Sequence, residues 1–148
     1  MVDGRTRILF VCTGNSARSQ MAEAFARHMG AGQVEASSCG IHPKGLHPLT
    51  RQVMAEKGID VSRQTSKALT DEMLRKADVV ITVCGHADEH CPALPAHVPK
   101  LHWPVDDPAV LRGRAPEEVL AAFRQARDEL ESRVRKFLSM LSKEKMAS

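Results

Sequence analysis

Cys12 and Arg18 bracket the turn Cys12-Thr13-Gly14-Asn15-Ser16-Ala17-Arg18-Ser19, which directly follows the apolar run Ile8-Leu9-Phe10-Val11 and leads into a helical pattern. A strand feeding a short loop that opens a helix turns consecutive backbone N–H groups into one concavity, at the positive end of the helix dipole. Such a cradle suits a tetrahedral oxyanion. A cysteine at its base supplies a nucleophile, and a guanidinium supplies paired donors for the anion's oxygens. The chemistry these residues allow is attack of a thiolate on a bound oxyanion. Amides and Arg18 beside the sulfur favour thiolate over thiol, which predicts a Cys12 pKa below about 7. Gly14 and Asn15 are expected to take left-handed backbone angles as the loop folds its amides inward. Ser16 and Ser19 are hydroxyl donors near the helix start, and Ser19 is expected to hydrogen-bond the sulfur. The competing reading is a buried cysteine at a strand end followed by an N-cap serine.

A second cluster, Cys84-Gly85-His86-Ala87-Asp88-Glu89-His90-Cys91, begins where the continuous β-branched run Val79-Val80-Ile81-Thr82-Val83 ends. In a parallel sheet that is the same edge that carries Cys12. Were the segment helical, the two cysteines would stand about 10 Å apart, beyond the roughly 7 Å that a disulfide spans between Cα atoms. Bonding them requires the segment to loop out, with Gly85 permitting the change and Pro92 keeping the segment from merging with a longer helix. Thiols able to reach either each other or Cys12 meet the needs of a redox relay. Two other readings stand beside it: inert half-buried thiols, or zinc held by Cys84, His86, His90 and Cys91.

The third piece is Trp103-Pro104-Val105-Asp106-Asp107-Pro108. A carboxylic acid on a loop near the oxyanion can protonate a leaving oxygen, and Asp107 is chosen over Asp106 for this task. An Asp before Pro also opens turns.

The elements that must position these groups alternate strand and helix. Residues 8–11 read as a strand, followed by Met21, Phe25 and Met29 at helical spacing. A second strand is expected at 34–37, a helix at 48–57 stopped by Gly58, and a short helix capped by Thr70 or Asp71 before the strand at 79–83. Residues 100–103 read as a last strand. Pro116 then opens a long helix with Val119, Phe123, Ala126, Leu130, Val134, Phe137, Leu138 and Leu141 inward. The fold class expected is α/β: one open parallel sheet of about four strands, helices on both faces, the active loop at a strand's carboxyl end. The 148 residues form a single catalytic domain, with residues 1–6 and 142–148 expected as loose termini.

Composition narrows the partners. A net charge of +3 suits small anions, yet the basic residues are interspersed with acids, and 3% aromatics with no Tyr argue against stacking on nucleic-acid bases. No apolar stretch approaches the roughly 18 residues that span a membrane, and the start of the chain lacks a signal-peptide layout. A cytoplasmic protein is expected, in which four cysteines are catalytic, metal-binding or incidental rather than stapled.

Together, the run Val11 to Glu23, the Cys84 and Cys91 pair, and Trp103 to Pro108 resemble the thioredoxin-coupled arsenate reductases built on the low-molecular-weight protein tyrosine phosphatase fold. The cysteine, loop and arginine alone would fit the phosphatases equally; the added cysteine pair is the specific signal. The resemblance implies Cys12 as nucleophile, Arg18 as oxyanion clamp, Ser19 as thiolate stabiliser, Asp107 as general acid, and Cys84 and Cys91 as the relay. It implies arsenate as substrate and thioredoxin or a similar dithiol as reductant, with no metal or organic cofactor in the chemistry. A phosphatase is the alternative, and weak phosphatase side activity is expected. Phosphatases of this fold follow the Asp-Pro with aromatic residues, whereas Ala109 and Val110 stand here. Members with a potassium site beside the loop use positions matching Asn15, Glu23, Ser38 and an Asp; that Asp is Lys67 here, whose ammonium is expected to replace the ion. A cysteine often found in the loop is Ala17, and the additional Cys39 reads as a small core residue.

Overall fold

A computed structural model describes residues 4–111 and 114–147. Strand β1 (Thr6–Cys12) leads into helix α1 (Arg18–Met29), strand β2 (Val34–Gly40), helices α2 (Pro48–Ala55) and α3 (Asp71–Lys76), and strand β3 (Val79–Thr82). Helix α4 (Gly85–His90), strand β4 (Lys100–His102), a single 3-10 turn at Pro108–Leu111 and helix α5 (Pro116–Ala147) complete the chain. The sheet is parallel throughout, in the order β2-β1-β3-β4.

β1 is buried on both faces, since Ile8, Leu9, Phe10 and Val11 are all in the core. A central strand with helices on either side has no solvent face and carries no alternation. α1, α2 and α5 pack on one another, and Trp103 joins Phe10 to Phe137 through ring contacts at 5.8 and 6.0 Å. From β1 the chain first builds outward to β2, then crosses to β3 on the other flank. The reversal leaves a crevice at the carboxyl ends of β1 and β3, where ligands bind in open parallel sheets.

The elements extend further than the periodicity suggests in two places. β2 continues past residue 37 through Ser38, Cys39 and Gly40, which pair with Phe10, Val11 and Cys12. These small residues carry no hydrophobic alternation, so their pairing is invisible in the pattern. At the other end α5 runs to Ala147, and β1 already begins at Thr6. The expected loose stretches 1–6 and 142–148 are corrected to that extent: helix propagation costs little once the stripe ending at Leu141 is docked. Residues 1–3 and 148 lie outside the described residues. Elsewhere the ends shift by a residue or two. α2 closes at Ala55, three residues before Gly58 at φ 74°, and Thr70 rather than Asp71 caps α3, accepting from the Met73 N–H.

Candidate active site

The loop between β1 and α1 is shaped from outside by its carbonyls. Ile41 N donates to Cys12 O (3.1 Å), His42 N to Thr13 O (2.8 Å), Lys44 N to Gly14 O (2.9 Å) and His47 N to Ser16 O (3.0 Å). Gln20 Nε2 takes Asn15 O at 3.0 Å, and Thr50 Oγ1 also reaches Ser16 O, at 2.8 Å. With every carbonyl drawn outward, the peptide planes turn their N–H groups to the concave side. Helix α1 adds to this, because its N-cap is Ala17, with no side-chain cap. Its first-turn N–H groups thus remain available to a ligand. The N-cap serine of the competing reading is absent from this junction.

Asn15 takes the left-handed conformation at φ 46°, as expected, whereas Gly14 stays at negative φ. A Cβ at Gly14 would meet the Lys44 side chain, at 3.3 Å. Asn15 and Ser19 lie behind the loop, both fully buried. Asn15 Nδ2 donates to Ser19 Oγ at 2.8 Å, which makes the serine oxygen an acceptor there and leaves its own proton for another partner.

A cavity of about 810 Å³ opens on the loop and is lined by Cys12, Thr13, Gly14, Ser16, Ala17, Arg18, Cys84 and Asp107. Arg18 Nη1 donates to Val105 O at 2.8 Å, and Nη2 lies 3.6 Å from Asp107 Oδ2. Asp107 Oδ1 accepts from Ala109 N at 2.9 Å, an Asx turn that fixes the carboxyl. Asp106 lines only a smaller cleft against α5.

Cys84 reaches Cys12 because β1 and β3 are neighbours in register, Val11 facing Thr82 and Val83 N donating to Val11 O at 2.9 Å. Both sulfurs are buried and line the same cavity, close enough for each to shift the other's titration. Cys84 Sγ also caps α4, accepting from Ala87 N at 3.3 Å, and lies 3.2 Å from Thr13 Oγ1. The contact with Cys84 holds the Cys12 thiol well above the ordinary range; burial adds to this, while Arg18 and the Gly14 N–H oppose it. Cys84 is held down to about 5, first by the same contact; burial opposes, and Thr13, the Ala87 N–H and Arg18 assist. The expected low pKa of Cys12 is corrected accordingly. The two thiols titrate as a pair, Cys84 lowered and Cys12 raised, and more donors reach Cys84 than the more deeply buried Cys12.

Cys91 is half-buried at the C-terminal end of α4 and outside the cavity. Desolvation raises its pKa. The segment between Cys84 and Cys91 is helical, so looping out is needed before they bond, as the spacing predicts. His86 and His90 stack at 4.1 Å, and among the described residues no three His, Cys, Asp or Glu side chains are grouped as metal ligands. Cys39 is fully buried, and burial pushes its thiol up to about 12.

The expected role of Lys67 is also corrected. Its Nζ is exposed and donates to Thr65 O at 3.3 Å, while its backbone N–H donates to Asn15 Oδ1 at 2.9 Å. The buried Glu23 is instead paired with Arg27, at 2.9 Å. A potassium ion does not fit this donor set. Asn15 turns its NH2, not its oxygen, toward Ser38, at 2.9 Å; both Glu23 oxygens are taken, by Ser38 Oγ at 2.6 Å and by Arg27.

Gly40 and the 41–50 segment are functional parts that the sequence reading missed. A Cβ at Gly40 would stand 2.7 Å from Thr13 O and 2.9 Å from Asn15 Cβ, so only glycine lets the end of β2 support the loop. Their contribution is backbone donors and absent atoms, which leave no side-chain signature; the Gly-Ile-His-Pro run after β2 is the one hint.

Residues 7–147 match the family described as low molecular weight phosphotyrosine protein phosphatase. A relative named arsenate reductase, from Halalkalibacterium halodurans, is 45% identical over 130 residues, covering 88% of this chain and 93% of that protein. A thioredoxin-dependent arsenate reductase of Corynebacterium glutamicum superposes with a TM-score of 0.76 at 29% identity, covering 96% of this chain and 64% of that one. The YwlE arginine phosphatase of Geobacillus stearothermophilus does so with a TM-score of 0.79 at 29% identity, covering 96% of both chains.

Proposed function

The chain belongs to the low molecular weight phosphotyrosine protein phosphatase family, and from that membership we propose that it reduces arsenate to arsenite through Cys12, Cys84 and Cys91, with electrons from thioredoxin or a similar dithiol. The observation that carries this reading is the placement of Cys84 beside Cys12 in the lining of one oxyanion cavity, set by the pairing of β1 with β3. Hydrolysis of a phosphate ester needs one thiol; a second sulfur beside the first is what a two-electron reduction needs.

Arsenate enters the cradle with its oxygens on the loop amides, Ser16 and Arg18. The Cys12 proton moves to Cys84, so the pair generates its own nucleophile. Cys12 then attacks arsenic, and Asp107 protonates the departing oxygen, which leaves as water. Ser19, with its oxygen accepting from Asn15, donates a hydrogen bond to the developing or departing thiolate. Cys84 passes its proton to an oxygen of the bound arsenic group, and its thiolate attacks Cys12 Sγ. The electron pair of the sulfur–arsenic bond passes to arsenic, which leaves as arsenite, and a Cys12–Cys84 disulfide remains. Cys91 attacks Cys84 Sγ, expels the Cys12 thiolate and moves the disulfide to Cys84–Cys91 as α4 unwinds. The external dithiol reduces that disulfide. Such a reductant belongs to a reducing compartment, which supports a cytoplasmic protein, and the interspersed charges with 3% aromatics speak against a nucleic-acid partner. No helix among the described residues is long and apolar enough to cross a membrane.

Mass mapping of linked cysteines after one turnover with arsenate tests the scheme. A Cys84–Cys91 linkage with Cys12 free is expected. Loss of two thiols with no such linkage would overturn the relay.

A phosphatase is the second reading, favoured by the match to YwlE. The same cradle, Arg18 and Asp107 permit slow cleavage of small aryl phosphates. Ala109 lines the cavity mouth where an aromatic wall would stand; the side chain of Val110 lies outside the described residues. Phosphotyrosine peptides are therefore expected to react no faster than small aryl phosphates.

A further inference from the structure

Behind the oxyanion loop, a fully buried carboxylate ends a chain of hydrogen bonds that starts from the Asn15 amide. Glu23 is 1% exposed. Ser38 Oγ donates to its Oε1 at 2.6 Å. Ser38 accepts from Asn15 Nδ2 at 2.9 Å, and Nδ2 also donates to Ser19 Oγ at 2.8 Å. Lys67 N donates to Asn15 Oδ1 at 2.9 Å, which fixes which way the amide faces. An ionised carboxylate only accepts. Its charge therefore aims the Ser38 proton at Glu23, which leaves Ser38 lone pairs for Asn15 and holds Asn15, the left-handed residue of the loop, in place. On its other oxygen Glu23 meets Arg27 Nη2 at 2.9 Å, and Arg27 Nε is tied to Ala36 O at 3.0 Å.

We propose that Arg27, which is 56% exposed at its side chain and touches no part of the cavity, is a positioning residue for oxyanion binding. By gripping Glu23 Oε2 it fixes the carboxylate with Oε1 toward Ser38 and holds the hydrogen bonds from Glu23 to Ser19 in one arrangement. A carboxylate excluded from water persists as an anion only when paired. Without Arg27, nothing holds the second Glu23 oxygen, the carboxylate is free to rotate away from Ser38, and the Ser38 oxygen is no longer reserved for Asn15. The loop then samples orientations in which its amides do not converge.

The inference rests on the arsenate-reducing reading for its turnover measurement alone; binding of inorganic phosphate is independent of it. Dissociation constants for phosphate, with arsenate KM and kcat, are measured for the unaltered protein, Arg27→Gln, Arg27→Lys and Ser38→Ala, in potassium and sodium salts at matched ionic strength. Arg27→Gln is expected to weaken phosphate binding and raise arsenate KM about tenfold while kcat changes less than about threefold, with Arg27→Lys restoring most of the affinity. Ser38→Ala, which cuts the chain without touching the ion pair, is expected to show the same split and stands in should Arg27→Gln not fold. The unaltered protein binds phosphate equally in both salts. Unchanged phosphate affinity in Arg27→Gln and Ser38→Ala, equal loss in Arg27→Lys and Arg27→Gln, or potassium-stimulated binding by the unaltered protein would overturn the role. Absence of arsenate reduction beside the expected phosphate pattern would instead remove the reductase reading and leave Arg27 its role.

Discussion

Arg18 Nη2 lies 3.6 Å from Asp107 Oδ2, so the clamp for the anion and the donor for its leaving oxygen hold one another before any substrate arrives. Arg18 is also tied to Val105 O at 2.8 Å, two residues before Asp107. One guanidinium thereby sets the distance between the loop after β1 and the loop after β4.

Replacing Asp107 with Asn keeps the shape but removes the proton. The Asp107→Asn protein is expected to lose about a hundredfold in kcat for arsenate, the ordinary scale of general acid catalysis. Its affinity for phosphate should be unchanged or tighter, because a carboxylate no longer faces the anion. Steady-state kinetics beside calorimetry with phosphate checks both; a hundredfold loss of affinity with kcat retained would make Asp107 a binding group.

The Cys12–Cys84 contact predicts which thiol reacts first. With Cys84 held to about 5 and Cys12 held high by their pairing, iodoacetamide at pH 6 is expected to label Cys84 ahead of Cys12. Cys12→Ala removes the largest cause of the low value, so half-labelling of Cys84 should shift to higher pH. Peptide mass mapping across pH reads both. Faster labelling of Cys12 at pH 6 would return the charge of the pair to the loop.

That contact also marks how far the sequence was legible. The strand, turn and helix order around Cys12 could be read because glycine, asparagine and arginine each answer a local demand there, and the meeting of Cys84 with Cys12 followed from parallel pairing. Which sulfur bears the charge could not be read. It depends on the number of donors reaching each atom, including Thr13 Oγ1 and the Ala87 N–H. The partner of Glu23 was missed for a similar reason. Lys67 drew attention as an odd residue at a matched position, yet Arg27 sits four residues from Glu23 on α1, where ordinary helix geometry brings the pair together. The backbone donors of the 41–50 segment leave no pattern at all.

The relay order predicts two unlike failures. Cys12→Ser is expected to abolish arsenate reduction, because nothing forms the bond to arsenic. Cys91→Ala should still release about one arsenite per enzyme, since Cys84 alone expels it, and then stall with the disulfide on Cys12. Counting arsenite against enzyme in a rapid-quench experiment distinguishes them. Repeated turnover by Cys91→Ala with thioredoxin as sole reductant would break the order.

Acid stability should track one partly exposed ion-pair cluster. Glu56, at the end of α2, receives Arg124 Nη2 at 2.6 Å and Arg127 Nη1 at 2.7 Å from α5, and its carboxyl is lowered from the usual 4.5 to about 2, chiefly by the hydrogen bond from Arg124. A depressed carboxyl favours the folded state above its unfolded pKa, and that contribution disappears as pH falls through the folded value. At pH 7 the Glu56→Gln protein is therefore expected to melt a few degrees lower, about 2–4 °C for a small surface contribution in a chain of this size. The gap should narrow from pH 4.5 downward and close near pH 2, the window set by the two values. Salt should shrink it at pH 7, because Glu56 and Arg124 are partly exposed even though Arg127 is buried. Melting curves of both proteins from pH 7 to pH 2 read the difference directly, and a gap that persists unchanged to pH 2 would show that Glu56 joins α2 to α5 by packing rather than by charge.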